Sequence, residues 1–456
     1  MKKNYLRELL FVSFPLIISS SIWTIQHFVD RMFISWYSVK TLAAVMPSSL
    51  LNLTTMSIFL GTSSIVNTFV AQYYGSKNYE KIGKITWQGI YFAIIGGIFH
   101  LTLIPFASYF FEIFGHEKDI IKYETTYFQL LCISAFPAIA STSLSSFFSG
   151  QGRTKIVLIV SSLQTFFHLI LDYFLIFGKS FFSEMGIKGA GIASVISSFL
   201  SFFIYFFLFL NKKEEIYNVK NFKFDKESFN KLLKYGVPNG IQYFLDISVW
   251  TIFLLLIGKL GITPLSSTNI AFNINTIAFM PMLGIGTGVS ILIGNYIGMD
   301  KKEEGEKIAF IGFFITFIYM FLIALSYVLL PNFYIEFFRP KIYLGNFEEV
   351  RKLTKILLRF VAFYSVFDTM NIVFISALRG AGDTKFIMST FLITSIFIFL
   401  FPLYTLIFFF SADIFIAWII ATFYVIINGI IFFIRFLKGN WKKIDLIKEE
   451  RGRYGR

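Results

Sequence analysis

Cysteine, histidine and charge are all scarce in this chain. The one cysteine, Cys132, excludes an intramolecular disulfide framework and a cysteine-rich metal site. It reads as a small packed hydrophobe. The four histidines, His27, His100, His116 and His168, lack the spacing of a metal-ligand motif. Charged residues are 15% of the 456, against roughly a quarter in soluble domains. Most of the chain is therefore expected where charge is penalised. The ~10-residue alternating segments of a transmembrane β-barrel are missing. So is a small-residue cleavage site after the first apolar run: Leu9 to Ile25 continues into Gln26-His27-Phe28-Val29-Asp30, so the first helix is expected to stay.

What is abundant is apolar length, with 56% hydrophobic and 20% aromatic residues. Tyr91 to Phe111, Ile156 to Phe177, Ile192 to Leu210 and Ile308 to Leu330 each approach the ~20 residues that cross a ~30 Å hydrocarbon core. Backbone groups in lipid must be satisfied within the segment, so the expected class is an all-α polytopic bundle. Twelve helices are read at 9–33, 44–73, 86–108, 126–149, 155–178, 188–211, 232–258, 264–297, 307–330, 355–379, 386–409 and 412–437. The formal charge of +14 reflects orientation and not nucleic-acid binding, because cytoplasmic loops are enriched in Lys and Arg. Placing both termini inside puts 28 of the 41 Lys and Arg residues in the inner segments, which decides for cytoplasmic termini and an even helix number. The cell (inner) membrane of a bacterium is the expected location, and a monomer the expected state.

The helices repeat. Gly150-Gln-Gly-Arg-Thr-Lys155 matches Gly380-Ala-Gly-Asp-Thr-Lys385 at an offset of 230. Pro15 matches Pro238, and Ala71-Gln-Tyr-Tyr-Gly75 matches Gly294-Asn-Tyr-Ile-Gly298, both 223 apart. The division is an amino-terminal six-helix lobe at 1–211, a cytoplasmic linker at 212–230, and a carboxy-terminal lobe with a basic tail at 231–456. Six helices per half make the two repeats parallel, around a central cavity, and substrate sites in such proteins tend to lie between halves near mid-membrane.

Four acids lie inside expected helices: Asp30, Asp172, Asp246 and Asp368. Each costs at least about 2.5–3.5 kcal/mol to insert, so each needs a reason. Each also has a polar neighbour four residues earlier, on the same helix face: Gln26, His168, Gln242 and Tyr364. His27 adds a neighbour for Asp30 and Asn371 one for Asp368. Two carboxylates per half fit a site that binds and releases cations or protons; the alternative is that they tie helices together through buried hydrogen bonds. Arg31 and Arg379 read as snorkelling anchors at helix ends. Gly284-Ile-Gly-Thr-Gly288 lacks the Lys-Ser/Thr ending of a phosphate loop and reads as close helix packing. No catalytic constellation is present, so the chain is not read as an enzyme. Phe272, Phe279 and Phe367 stand beside polar positions and are candidates to line a cavity for flat organic cations through cation–π contacts, ordinary packing being the alternative for each. With them Gln242, Asn273 and Asp368 are candidate substrate contacts.

Taken together, the twelve helices, the prolines of helices one and seven, the two Gly-x-Gly turns, and Leu171-Asp-Tyr-Phe-Leu-Ile-Phe-Gly178 followed by Gly189-Ala-Gly-Ile-Ala-Ser194 resemble the multidrug and toxic compound extrusion (MATE) transporters over essentially the whole chain. The resemblance implies export of amphipathic, often cationic compounds driven by inward Na+ or H+, by alternating access of two lobes, with no other cofactor. By motif position it assigns Asp30, Asp172 and Ser194 to an amino-terminal cation site. Asp246, Tyr364 and Asp368 match the carboxy-terminal cation site of the NorM-like branch, a possible Na+ site. His168 departs from the family's Asn and brings a group that titrates near neutrality. Asp246 departs from the usual Glu and is one methylene shorter. A lipid-linked oligosaccharide flippase of the same superfamily is the alternative, disfavoured because the mid-membrane charges are acidic.

Overall fold

The computed structural model describes residues 4–113, 115–180, 182–339, 347–410, 412–444 and 446–447. Its spanning helices are α1 Tyr5–Tyr37, α2 Lys40–Gly75, α3 Glu80–Ile113, α4 as the pair Lys118–Ile133 and Ala135–Gly150, α5 Thr154–Phe177 and α6 Ile187–Phe209. They continue as α7 Lys226–Lys259, α8 Ile262–Gly298, α9 Lys302–Leu329, α10 Phe347–Ala381, α11 Thr384–Phe410 and α12 Ile414–Leu437. The chain is thus an all-helical bundle of twelve spans. Most run past their expected ends by several residues. At ~1.5 Å per residue, the 34 residues of α7 reach ~51 Å, well beyond a ~30 Å apolar core, so polar turns continue the helices into water. Between α9 and α10, Pro331–Glu336 forms a short helix, while 340–346 lie outside the described residues.

Two helices are irregular for identifiable reasons. The halves of α4 meet at a 41° bend at Ser134. Pro137 follows three residues later and has no N–H to offer the carbonyl of Ile133, which frees the ladder to bend there. In α11 a π-helical stretch covers Thr394–Leu400, a geometry often kept for function. Thr394 Oγ1 donates to Asn428 Oδ1 of α12 at 2.9 Å, and Ser395 Oγ lies 3.2 Å from the Tyr424 hydroxyl.

Packing divides the chain into two compact units. One comprises 1–17, 245–293 and 301–445; the other 18–244, 294–300 and 446–456. These boundaries fall inside α1, α7 and α8, not in the 212–230 segment that separates the sequence repeats. Backbone approach explains the exchange. In the first unit, a Cβ on Gly284 of α8 would lie 2.6 Å from the Ile17 backbone nitrogen of α1. In the second, a Cβ on Gly61 of α2 would lie 2.7 Å from Gly240 Cα of α7. Gly61 and Gly284 are repeat mates at offset 223, so each half lends the start of its leading helix to the second helix of the other half. Gly284→Leu is expected to lose at least about 3 kcal/mol, since backbone cannot yield as a side chain can. Gly258→Ala, whose Cβ would meet only Leu265 Cδ2 at 3.8 Å, is the tolerated control, with thermal unfolding in detergent as the measurement.

The repeat also shows in charge, with its sign reversed. Arg153 Nη1 bonds both carboxylate oxygens of buried Glu214 at 2.8 and 2.7 Å. At the matching turn of the other half stands Asp383, which accepts from Arg435 Nε at 2.8 Å. Each pair ties a Gly-x-Gly turn to the chain at or beyond the last helix of its half.

Candidate functional site

The site starts with the ends of α1, α5 and α6, which converge within the second unit. Asp30 is two turns from the end of α1, and His168 and Asp172 share one face of α5. His168 Nε2 lies 3.1 Å from Asp30 Oδ1 and 3.5 Å from Asp172 Oδ2. One ligand atom from each of the three falls within 4.8 Å of the others, a spacing able to hold a small cation. His168 and Asp172 are 2% and 1% exposed at the side chain, and Asp30 15%. Neither oxygen of Asp172 accepts a hydrogen bond from the described residues.

Ser197 Oγ lies 3.0 Å from His168 Nδ1 and 3.1 Å from the Ser194 carbonyl, so the histidine bridges a hydroxyl of α6 and the two carboxylates. A doubly protonated ring would hold its charge between two acids, the arrangement that makes a buried charge tolerable. His27 Nδ1 stands 3.9 Å from Asp30 Oδ2, half exposed and edge-on to Trp23. Gln26 does not reach Asp30; its Oε1 accepts from Thr165 Oγ1 at 2.9 Å. Ser194 bonds its own helix at Ala190 O (3.1 Å), and the buried Tyr127 of α4 makes hydrogen-bonding contacts with Ser49 and Ser194.

In the first unit Asp246 of α7 and Asp368 of α10 lie within electrostatic reach of one another. Trp250, one turn after Asp246, hydrogen-bonds it. Asn371 Nδ2 is shared between Asp368 Oδ1 at 3.1 Å and the Val425 carbonyl at 3.0 Å. Tyr364 is buried one turn before Asp368 on the same helix. Around Asp246 the setting is aromatic. Trp250 packs edge-on to Phe272 at 5.5 Å and near Phe399 at 5.7 Å and Tyr424 at 6.4 Å. Phe279 is half-buried against this core, whereas Asn273 is exposed and bonds its own helix at Asn269 O. Gln242 is buried one turn before Asp246 on α7. Arg379, read as an anchor, also interacts electrostatically with Asp246.

So the fold gathers Asp30, His168 and Asp172 into one cluster and places Asp246 and Asp368 together in another. Ser197, Tyr127, Trp250 and Tyr424 were not singled out from sequence. Ser197 and Trp250 lie one turn from Ser194 and Asp246, a signal available in helical spacing; Tyr127 and Tyr424 join only through tertiary packing.

Twelve spans with buried acids on polar helix faces define a multi-pass membrane protein of transport type, not an enzyme. The chain belongs to the MatE family, which matches it twice, over residues 15–174 and 238–405. The two matches begin 223 residues apart, the same offset as the internal repeat. Among relatives, the probable multidrug resistance protein NorM of Thermotoga maritima is 26% identical over 466 residues, covering 98% of each chain. The eukaryotic MATE transporter AtDTX14 superposes with a TM-score of 0.87 at 18% identity, covering 99% of this chain and 100% of that one. A MOP superfamily transporter from Pyrococcus furiosus, described as having a binding pocket of reverse polarity, gives 0.86 at 16% identity, covering 98% and 96%. Likeness at that level shows the fold; the pocket's chemistry has to come from the residues.

Proposed function

We propose that the chain is a secondary antiporter that exports amphipathic, cationic organic compounds across the cell membrane in exchange for protons, with both termini in the cytoplasm. The observation that carries the choice of ion is His168 Nε2 lying within 3.5 Å of carboxylates on two helices. A sodium ion needs several oxygen ligands. Here the position between the two acids is filled by a ring nitrogen able to carry a proton. Loss or gain of one proton therefore changes the charge of a largely buried cluster, which is what a coupling site has to do. In the other unit, Asp246 and Asp368 beside Trp250, Phe272 and Tyr424 supply the negative charge and π faces that suit an organic cation. Their acidity also argues against a flippase, whose pyrophosphate would call for buried Arg or Lys.

Purified protein in liposomes tests the reading. An imposed proton gradient is expected to drive uptake of ethidium, and a sodium gradient at constant pH is not. Uptake driven by sodium alone would refute the proton assignment while keeping antiport; no uptake under either gradient would refute antiport.

A further inference from the structure

Glu124, in the second turn of α4, is a fully buried carboxylate that plays no part in the cluster above. Burying a carboxylate is costly unless it is paired. Its Oε1 lies 2.8 Å from Nδ1 of His116, a loop residue with a side chain 33% exposed. Its Oε2 has no hydrogen-bond partner among the described residues. The direction inward is polar. Ser48 Oγ of α2 donates to the Glu124 carbonyl at 3.1 Å. One turn along the same face of α4 is Tyr127, in contact with Ser49 and Ser194 and within electrostatic reach of both Asp30 and Asp172. Ile34, Ala44, Val45, Ile176, Ile187 and Ala190 pack with Tyr127 into an apolar layer at this end of the unit. Tyr127 is the buried hydroxyl of that layer, and the partly buried Tyr123 packs against it.

We propose that His116 and Glu124 form a proton-uptake station for the Asp30–His168–Asp172 cluster, with the Tyr127 hydroxyl between them. The proposal rests on the antiport reading and deepens it. A proton from water protonates His116, and the Nδ1 proton passes to Oε1 of Glu124, leaving a neutral imidazole and a neutral acid. The acid gives a proton inward; the Tyr127 hydroxyl accepts one as it releases its own, and a cluster carboxylate gains it. One proton enters and one arrives, with each relay group restored. Among the other charges at this end, Lys40 and Asp119 pair with each other at 2.9 Å, while Arg31, Glu112, Glu117, Lys118, Lys122, Glu184 and Lys188 are exposed.

The test compares two rates in liposomes for wild type, Glu124→Gln and His116→Gln: ethidium uptake driven by a proton gradient, and ethidium counterflow with no gradient. Both variants are expected to slow gradient-driven uptake about tenfold while counterflow stays within about twofold. Equal loss in both rates, or no loss in gradient-driven uptake, overturns the station. If Glu124→Gln yields too little folded protein, the partly exposed His116→Gln decides alone by the same two criteria. Wild-type uptake driven only by sodium overturns the station and leaves antiport standing; a wild type driven by neither ion overturns antiport itself.

Discussion

Asp172→Asn is expected to abolish gradient-driven efflux and to leave the protein folded. Asp172 is 1% exposed, with no hydrogen bond to either oxygen among the described residues, and lies 3.5 Å from His168 Nε2. The amide is isosteric and needs no counter-charge, while His168 keeps Asp30 at 3.1 Å as its partner. The amide keeps the shape of the carboxylate, so the variant should fold and unfold near the wild-type temperature. Function should not survive, because the amide can neither take up nor release a proton. Activity lost while the fold is kept marks a residue kept for function. Ethidium efflux from cells expressing Asp172→Asn at near the wild-type rate would show the cluster is not the coupling site.

Asp368→Asn is the second large effect, and it should be of a different kind. Asp368 is shared with Asn371 and senses Asp246, in a unit whose core is aromatic. Removing its charge leaves the cluster of Asp30, His168 and Asp172 intact, since those residues belong to the other unit. Export is expected to fall by roughly 100-fold through loss of cation binding, an electrostatic contact of about 3 kcal/mol. Binding of ethidium to purified protein, followed by fluorescence polarisation, should weaken for Asp368→Asn and hold for Asp172→Asn at low pH. Equal affinities for the two variants would remove the division of labour between units.

The sequence was most legible where physics acts over a whole helix. Twelve apolar runs, each near the bilayer thickness, sufficed to count spans and locate their middles. Ends were less legible, because a helix in water is ended by caps and packing, not by lipid. That cost one residue in particular. With helix four read from 126, Glu124 stood in a loop; the helix begins at Lys118, and Glu124 is inside it. The bend at Ser134 was hidden because Ser134 itself is unremarkable, and Pro137 was one of several prolines that helices here accommodate. For the site, helical spacing sufficed to pair His168 with Asp172 and Tyr364 with Asp368. It had no access to Asp30 meeting His168 across 138 positions, nor to Gln26 choosing Thr165. Histidine spacing offered no metal-ligand motif, yet one histidine and two acids from two helices come close enough to hold a small cation. Repeat asymmetry was readable: Phe253, the mate of Asp30, is fully buried and stacked on Phe399 at 5.6 Å. Where one unit keeps a carboxylate, the other keeps a ring.

The exchange of leading helices bears on how the molecule is made. A nascent chain that has delivered its first six helices has not delivered a finished unit, for the segments Lys226–Phe244 and Gly294–Asp300 are still to come. The opening residues of α1, translated first, wait for α8 to α12 before their permanent neighbours exist. Neither sequence half is therefore a module that matures alone. Gene fragments encoding 1–211 and 212–456 should each be degraded when expressed singly and rescued when expressed together. Duplication supplied two copies of one design, and the exchange made each copy depend on the other for its completion.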